Sequence, residues 1–239
     1  AKTQSNLGNA LWSLSTRSAG TETLDRAIAA YQSALEATPR ESGPIDWAIM
    51  QNNLGNAFNL RGERETGTVS MHKAVAAYEL ALSALERKEA PLQWAMCQNN
   101  LGTALQAIGE RERNADALRK AITVLEAALD ERTRERVPAD WAASQNNLGK
   151  ALSALGEHDR NPALLAKAVD AYELALTERT NERGPLHWAR VKNNLGGSKL
   201  VLGIATENKT TVTEGRAAVQ AAFEVIQDMG LKDFEPYYQ

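Results

Sequence analysis

The chain has 239 residues, 43% of them hydrophobic and 24% charged, with a formal net charge of −3. This is enough apolar material for a folded core, and the slight negative charge argues against a general surface for nucleic acid or anionic membrane. Cys97 is the only cysteine, so no intramolecular disulfide can form; with no apolar run long enough to span a bilayer and no signal-peptide pattern, a soluble, cytoplasmic protein is expected.

The first phrase along the chain is Gln4-Ser-Asn-Leu-Gly8. It returns, enlarged, as Trp47-Ala-Ile-Met-Gln-Asn-Asn-Leu-Gly55, then as Trp94-Ala-Met-Cys-Gln-Asn-Asn-Leu-Gly102. Trp141-Ala-Ala-Ser-Gln-Asn-Asn-Leu-Gly149 and Trp188-Ala-Arg-Val-Lys-Asn-Asn-Leu-Gly196 complete the series, each tryptophan 47 residues after the last. A fixed period of this size signals stacked supersecondary units that share one continuous core. The units are expected at about 1–46, 47–93, 94–140, 141–187 and 188–230, forming one body, with a divergent tail at 231–239. In that tail Leu231, Phe234, Tyr237 and Tyr238 are expected to fold over the last unit or to lead into a further domain. The first unit lacks its opening tryptophan and there is no initiator Met, so additional repeats or domains are expected upstream of Ala1, with Leu7, Leu11 and Trp12 on an uncapped end.

Within a unit the apolar spacing predicts two helices. In the third copy Trp94, Cys97, Leu101, Ala104, Leu105 and Ile108 share one helical face. Gly62, Gly109, Gly156 and Gly203 are expected to end these first helices. After a charged link, Leu118, Ala121, Ile122, Leu125, Ala128 and Leu129 mark a second amphipathic helix, which fades through Glu131 to Arg136 and stops before Pro138. Asp140 is expected to cap the following helix. Pro44, Pro91, Pro138 and Pro185 are expected to separate the units. The second helices keep Ala27, Ala74, Ala121 and Ala168 at one site, Tyr31, Tyr78, Leu125 and Tyr172 at another, and Ala34, Ala81, Ala128 and Ala175 at a third. Small residues at these sites let helices approach closely, with large ones filling the gap beside them. No alternation of period two suggests a strand.

The run Asn53-Leu54-Gly55-Asn56-Ala57-Phe58, followed by Ala74, Tyr78 and Ala81, resembles a tetratricopeptide repeat. The usual unit of that family is about 34 residues; longer units with an Asn-Asn-Leu phrase resemble the kinesin-light-chain type and arrays in bacterial signalling proteins. The resemblance implies an all-α, right-handed α-solenoid of five antiparallel helix pairs whose first helices line a concave wall. It implies a non-enzymatic module for protein–protein interaction, in bacteria the sensor or scaffold arm of a larger signalling protein.

Candidate binding residues follow from register. Asn6, Asn53, Asn100, Asn147 and Asn194 occupy one position of all five first helices. Asn100 lies about 100° round its helix from Leu101. On a concave wall these residues form a row of amides, each offering donors and an acceptor to an extended peptide backbone. The same amides could instead bond the neighbouring helix and only set repeat stacking. The adjacent Asn52, Asn99, Asn146 and Asn193 point more nearly away from the core, as groove or solvated residues. Side-chain selectivity falls to Ile49, Asn56, Met96, Lys150 and Arg190, and the basic first helices of the last two units, with Lys192 and Lys199, suit an acidic peptide or a free carboxylate. The family's carboxylate clamp uses an asparagine pair matched by Asn9 and Asn53, but Ser5, Met96 and Asn100 stand where its basic residues would be.

Each tryptophan is expected to wedge its unit against the preceding one. The charged runs at 131–136 and 178–183 read as solvated helix ends. His72, His158 and His187 fall in different registers, with no metal-ligand spacing. No phosphate loop or nucleophile motif appears, so no catalytic residue, cofactor or metal is assigned. The expected partner is a protein or peptide segment rather than nucleic acid or membrane. The alternative is a structural spacer or self-assembling scaffold.

Overall fold

The computed structural model describes residues 2–16 and 20–230. Among these residues there are ten α-helices, a short 3-10 turn at Arg40–Ser42 and no strand. The expected behaviour of the tail at 231–239 lies outside them.

The helices fall into two compact units, residues 1–131 and 132–239. The first holds α1 (Lys2–Ser15), α2 (Glu22–Glu36), α3 (Pro44–Arg64), α4 (Val69–Ser83), α5 (Pro91–Glu112) and α6 (Ala115–Glu131). The second holds α7 (Pro138–His158), α8 (Pro162–Leu176), α9 (Pro185–Ala205) and α10 (Lys209–Asp228). In each unit the helices pair in succession: α1 with α2, α3 with α4 and α5 with α6 in one, α7 with α8 and α9 with α10 in the other. The second helix of a pair also packs on the first helix of the next, as α2 on α3, α4 on α5 and α8 on α9.

Alanines set how closely the pairs pack. Ala27, Ala74, Ala121 and Ala168, like Ala34, Ala81, Ala128 and Ala175, are fully buried. The bulky residues between these alanines face glycines on the first helices. A Cβ at Gly55 would lie 2.5 Å from the Tyr78 ring, and one at Gly102 would lie 2.5 Å from Leu125. No side chain fits there, so glycine and the bulky residue it faces form one packing unit.

The prolines stand between one helix pair and the next, where they open α3, α5, α7 and α9 at their first turn and proline's missing N–H costs nothing. Two expectations about helix ends are corrected. Asp140 does not cap its helix but lies inside the first turn of α7, whose N-cap is Val137 with no side-chain cap bond. Nor do the glycines end the first helices. Gly109 sits three residues before the end of α5, where a Cβ would meet the Leu118 side chain at 2.6 Å. The left-handed residue that ends the helix is Arg113, at φ 52°, and Arg160 and Glu207 play the same part at φ 49° and 53°. Behind them the amides of Asn114, Asn161 and Asn208 donate to the carbonyls of Gly109, Gly156 and Gly203 at 2.9, 2.8 and 2.8 Å. The same asparagines then start the following helix: Asn161 Oδ1 accepts from the Ala163 amide at 3.0 Å, and Asn208 Oδ1 from Thr210 at 3.1 Å.

The two charged runs are exposed or half-buried apart from one member, which departs from the expected solvated reading. Arg132 is buried and donates to Ser144 Oγ at 3.1 Å. Arg134 donates to Glu178 at 2.6 Å while its guanidinium lies 5.7 Å from the Trp141 ring centroid. Arg87 repeats that arrangement with Glu131 at 2.6 Å and Trp94 at 4.8 Å. Arg40 stacks on Trp47 and donates to the Ser83 carbonyl. Arg40, Arg87 and Arg134 thus each cover the tryptophan that opens the following repeat and reach the end of that repeat's second helix.

Candidate functional site

In the 1–131 unit the first helices present their asparagines to one another. Asn100 on α5 donates through Nδ2 to Asn52 Oδ1 at 2.9 Å and to Asn56 Oδ1 at 3.3 Å, both on α3. Asn53 on α3 donates to Asn9 Oδ1 on α1 at 3.2 Å. In the 132–239 unit Asn194 on α9 donates to Asn146 Oδ1 on α7 at 3.1 Å, and Asn146 donates to Asn147 Oδ1 at 3.5 Å. Asn6 is exposed, whereas Asn53, Asn100, Asn147 and Asn194 are half-buried. The amides form rungs between successive first helices.

Asn52 and Asn99 depart from expectation, being only 1% and 7% exposed. A single amphipathic helix has one buried face, but α3 and α5 pack against each other as well as against their second helices. Asn52 is closed over by that second contact, and the Asn100 amide satisfies its buried carbonyl.

A further pairing escaped the sequence analysis. Tyr31 donates its hydroxyl hydrogen to Asn9 Oδ1 at 2.8 Å, and Tyr78 does the same to Asn56 at 2.8 Å. Burial pushes the Tyr31 hydroxyl up to about 12 and that of Tyr78 well up too, so both stay protonated donors. The trace in the sequence is only partial, because the fourth repeat keeps Tyr172 while its asparagine register holds Lys150. The third repeat has Thr103 in the asparagine register and Leu125 in the tyrosine register, and Thr103 turns its hydroxyl to its own Asn99 carbonyl at 3.0 Å.

These groups surround a cavity of about 230 Å³, lined by Asn9, Trp12, Ser13, Tyr31, Asn53 and Asn56. Four of these side chains, Asn9, Tyr31, Asn53 and Asn56, are anchored by the bonds already described. Trp12 is the exception: its indole Nε1 is buried and has no hydrogen-bond partner among the described residues. A buried donor of this kind costs about 1–3 kcal/mol relative to a satisfied one.

The other candidate residues do not converge here. Met96 packs with Trp94 against the apolar cluster of Ala48, Ala81, Leu85, Ala90 and Cys97, where it supports the repeat joint. Trp94 meets residues of the preceding repeat there, as a wedge would. Ile49 is half-buried. Lys150, half-buried on α7, shares the register of Asn56, and Arg190 is exposed near the start of α9. Among the described residues no His, Cys, Asp or Glu cluster is placed to hold a metal ion, and no helix is long and apolar enough to cross a membrane.

Comparison with known proteins fits this architecture. Residues 94–134 and 141–178 match the family model described as tetratricopeptide repeat. No curated protein matches the chain in sequence. Among solved structures, YrrB, described as a TPR protein with an unusual peptide-binding site, is 20% identical with a TM-score of 0.52, over 94% of this chain and 86% of that one. BtubC (BKLC) from P. vanneervenii is 20% identical with a TM-score of 0.61, over 96% and 90%. A putative kinesin light chain from Podosopora anserina, with nearly identical TPR-like repeats, is 19% identical with a TM-score of 0.58, over 90% and 95%. At such identities the likeness is one of fold. The chain shares the helical-repeat fold of these proteins, and its residues 94–134 and 141–178 match the tetratricopeptide-repeat model.

Proposed function

We propose that the chain is a non-enzymatic protein–protein interaction module that takes an extended peptide segment along its asparagine-bearing first helices, with one anchor in the cavity lined by Trp12. The observation that carries this is the buried indole N–H of Trp12 beside an open, amide-lined space. A backbone carbonyl of a bound segment is the acceptor it lacks. The rung geometry supports the same reading, because each asparagine bonded between helices is held in place and leaves part of its hydrogen-bonding capacity for a ligand. Pre-organised walls lower the ordering cost of binding. Peptide binding in the similarly folded YrrB agrees with it. Asn6, Asn53, Asn56, Asn100, Asn147 and Asn194 are the proposed backbone contacts, with Lys150 and Arg190 adding selectivity. On this reading the module is the recognition arm of a larger signalling protein.

The test is a peptide-display selection on the parent chain and on Trp12→Phe, which keeps a ring and removes the donor. Enrichment by the parent with loss in a folded Trp12→Phe chain is expected. Equal enrichment by both chains overturns the cavity as anchor. Ser13→Phe, at an exposed position on the cavity wall, should block the same peptides by filling the space.

A second reading is favoured by the rungs themselves. If they serve only to hold repeats together, the chain is a spacer or self-assembling scaffold. Light scattering across a concentration series separates the two: growth in mass with no selectable peptide supports the scaffold.

A further inference from the structure

A different cavity, of about 270 Å³, lies where α7 and α9 begin, with Ala139, Glu178, Arg179, Arg183, Gly184 and His187 among its walls. Its charge is unusual for this chain. Arg179 has no carboxylate within ion-pairing distance among the described residues, and the hydrogen bond of its guanidinium is a long one, 3.4 Å to the Ala139 carbonyl. Arg190 stands one helical turn beyond His187, also without an ion pair among the described residues. Burial first, and then the charge of Arg190, hold the Arg179 guanidinium below its usual value, against a smaller opposing pull from Asp140. Burial first, then Arg179 and Arg190, depress His187 too. The nearby carboxylates are largely occupied: Glu178, itself on the cavity wall, accepts from Arg134 at 2.6 Å and lies 3.8 Å from Arg183, a long and exposed pairing, and Glu182 accepts from Thr180 and its own backbone.

The repeats show that His187 and Arg190 are what this joint adds, since Arg179 and Arg183 match Arg132 and Arg136 of the preceding repeat. Where His187 stands, the earlier copies carry Asp46, Gln93 and Asp140, and where Arg190 stands they carry Ile49, Met96 and Ala143. Arg179 matches Arg132, whose guanidinium donates to Ser144 Oγ at 3.1 Å. The residue matching Ser144 is Val191, which offers no acceptor. Arg179 has therefore lost the partner its counterpart keeps. Neither α7 nor α9 has a side-chain cap, so the positive ends of two helices also open toward this region.

We infer that this cavity holds an anionic group, a carboxylate or a phosphate, carried by the peptide segment that the module binds. This rests on the peptide reading above. Arg179 and Arg183 supply guanidinium forks whose geometry matches either oxyanion, and Arg190 and His187 add charge. Anion binding favours protonated His187, coupling occupancy to the state of that ring.

The experiment is amide and imidazole NMR on the full chain, titrated separately with inorganic phosphate, an acetylated tetraglutamate amide and its tetraglutamine counterpart. Shifts at Ala139, Leu186 and His187 are expected with the anionic probes and not with tetraglutamine. A response to phosphate alone assigns a phosphate source, and a response to tetraglutamate alone assigns a carboxylate; both support the site. The combined change His187→Asp and Arg190→Ala should weaken binding at least about tenfold. Both replacements occupy the same registers of other copies, so the helix tolerates them. Arg183→Gln is a second variant whose side chain, 74% exposed, has little role in folding. Absence of shifts in the parent, or equal affinity in the variants, overturns the inference. If a display-selected peptide is neutral and binds these variants as tightly as the parent, the anion site falls and the peptide reading stands. If phosphate titrates these amides while no peptide is ever selected, the peptide reading falls and the anion site stands alone.

Discussion

The side-chain amide of Asn100 meets Asn52 Oδ1 at 2.9 Å, and Asn52 is 1% exposed. This pair joins α5 to α3 through a buried carbonyl that water does not reach. Asn100→Ala should cost about 1–3 kcal/mol, because the Asn52 carbonyl is left buried and loses its donor. Asn53→Ala should cost less, since its partner Asn9 is exposed and still accepts from Tyr31 at 2.8 Å. Urea unfolding of the two variants checks the order, provided the transitions remain cooperative.

Glycine at the helix crossings makes a second prediction. Gly55→Ala places a methyl group 2.5 Å from the Tyr78 ring, and relief requires that buried ring to move. A loss of about 1–3 kcal/mol is expected, as for overpacking elsewhere. Gly67→Ala, with nothing within 4 Å of the new Cβ, should change stability by about 0.5 kcal/mol or less. Thermal denaturation of both variants against the parent reads the contrast.

Left-handed residues at the helix ends offer stabilisation. Arg160 adopts φ 49° after α7 and pays the steric penalty of a Cβ there. Arg160→Gly removes it and should gain about 0.5–1 kcal/mol, the local penalty less the greater unfolded-state freedom of glycine. A denaturation midpoint that falls instead would show that the Arg160 side chain contributes more than its backbone costs.

His187 predicts a pH dependence. Its folded-state pKa lies below the ordinary 6.5 because burial and then the Arg179 and Arg190 charges disfavour the cation. The unfolded chain therefore binds the proton more readily, so this group's contribution to stability is complete above the ordinary value and is lost as pH falls through the folded one. Glu65, Glu112 and Glu182, also depressed, titrate below their ordinary 4.5 and act in a lower window. Denaturation midpoints between neutral pH and about pH 5 should fall less in His187→Gln than in the parent. An identical fall in both chains would remove His187 from the acid response.

Hydrophobic spacing alone determined the helix pairs of this protein. The alanines predicted to permit close approach are buried, because amphipathic period and side-chain volume are local properties that survive into the packed state. The asparagine register was legible too, but not the fate of its members. Whether Asn52 faces water or a second helix depends on α5 lying across α3, a contact between residues some 48 positions apart. The glycines show the same limit. A glycine near the end of an apolar run reads as a helix stop, while only the arrival of Leu118 at 2.6 Å shows that Gly109 is kept for close packing. Arg179 completes the pattern: its residue type was visible, but its want of a partner emerged only when the matching Arg132 was found bonded to Ser144 and Val191 stood in that serine's place. Periodicity records which face of a helix is buried, whereas the partner of each polar group is chosen by the neighbour that tertiary packing brings to it.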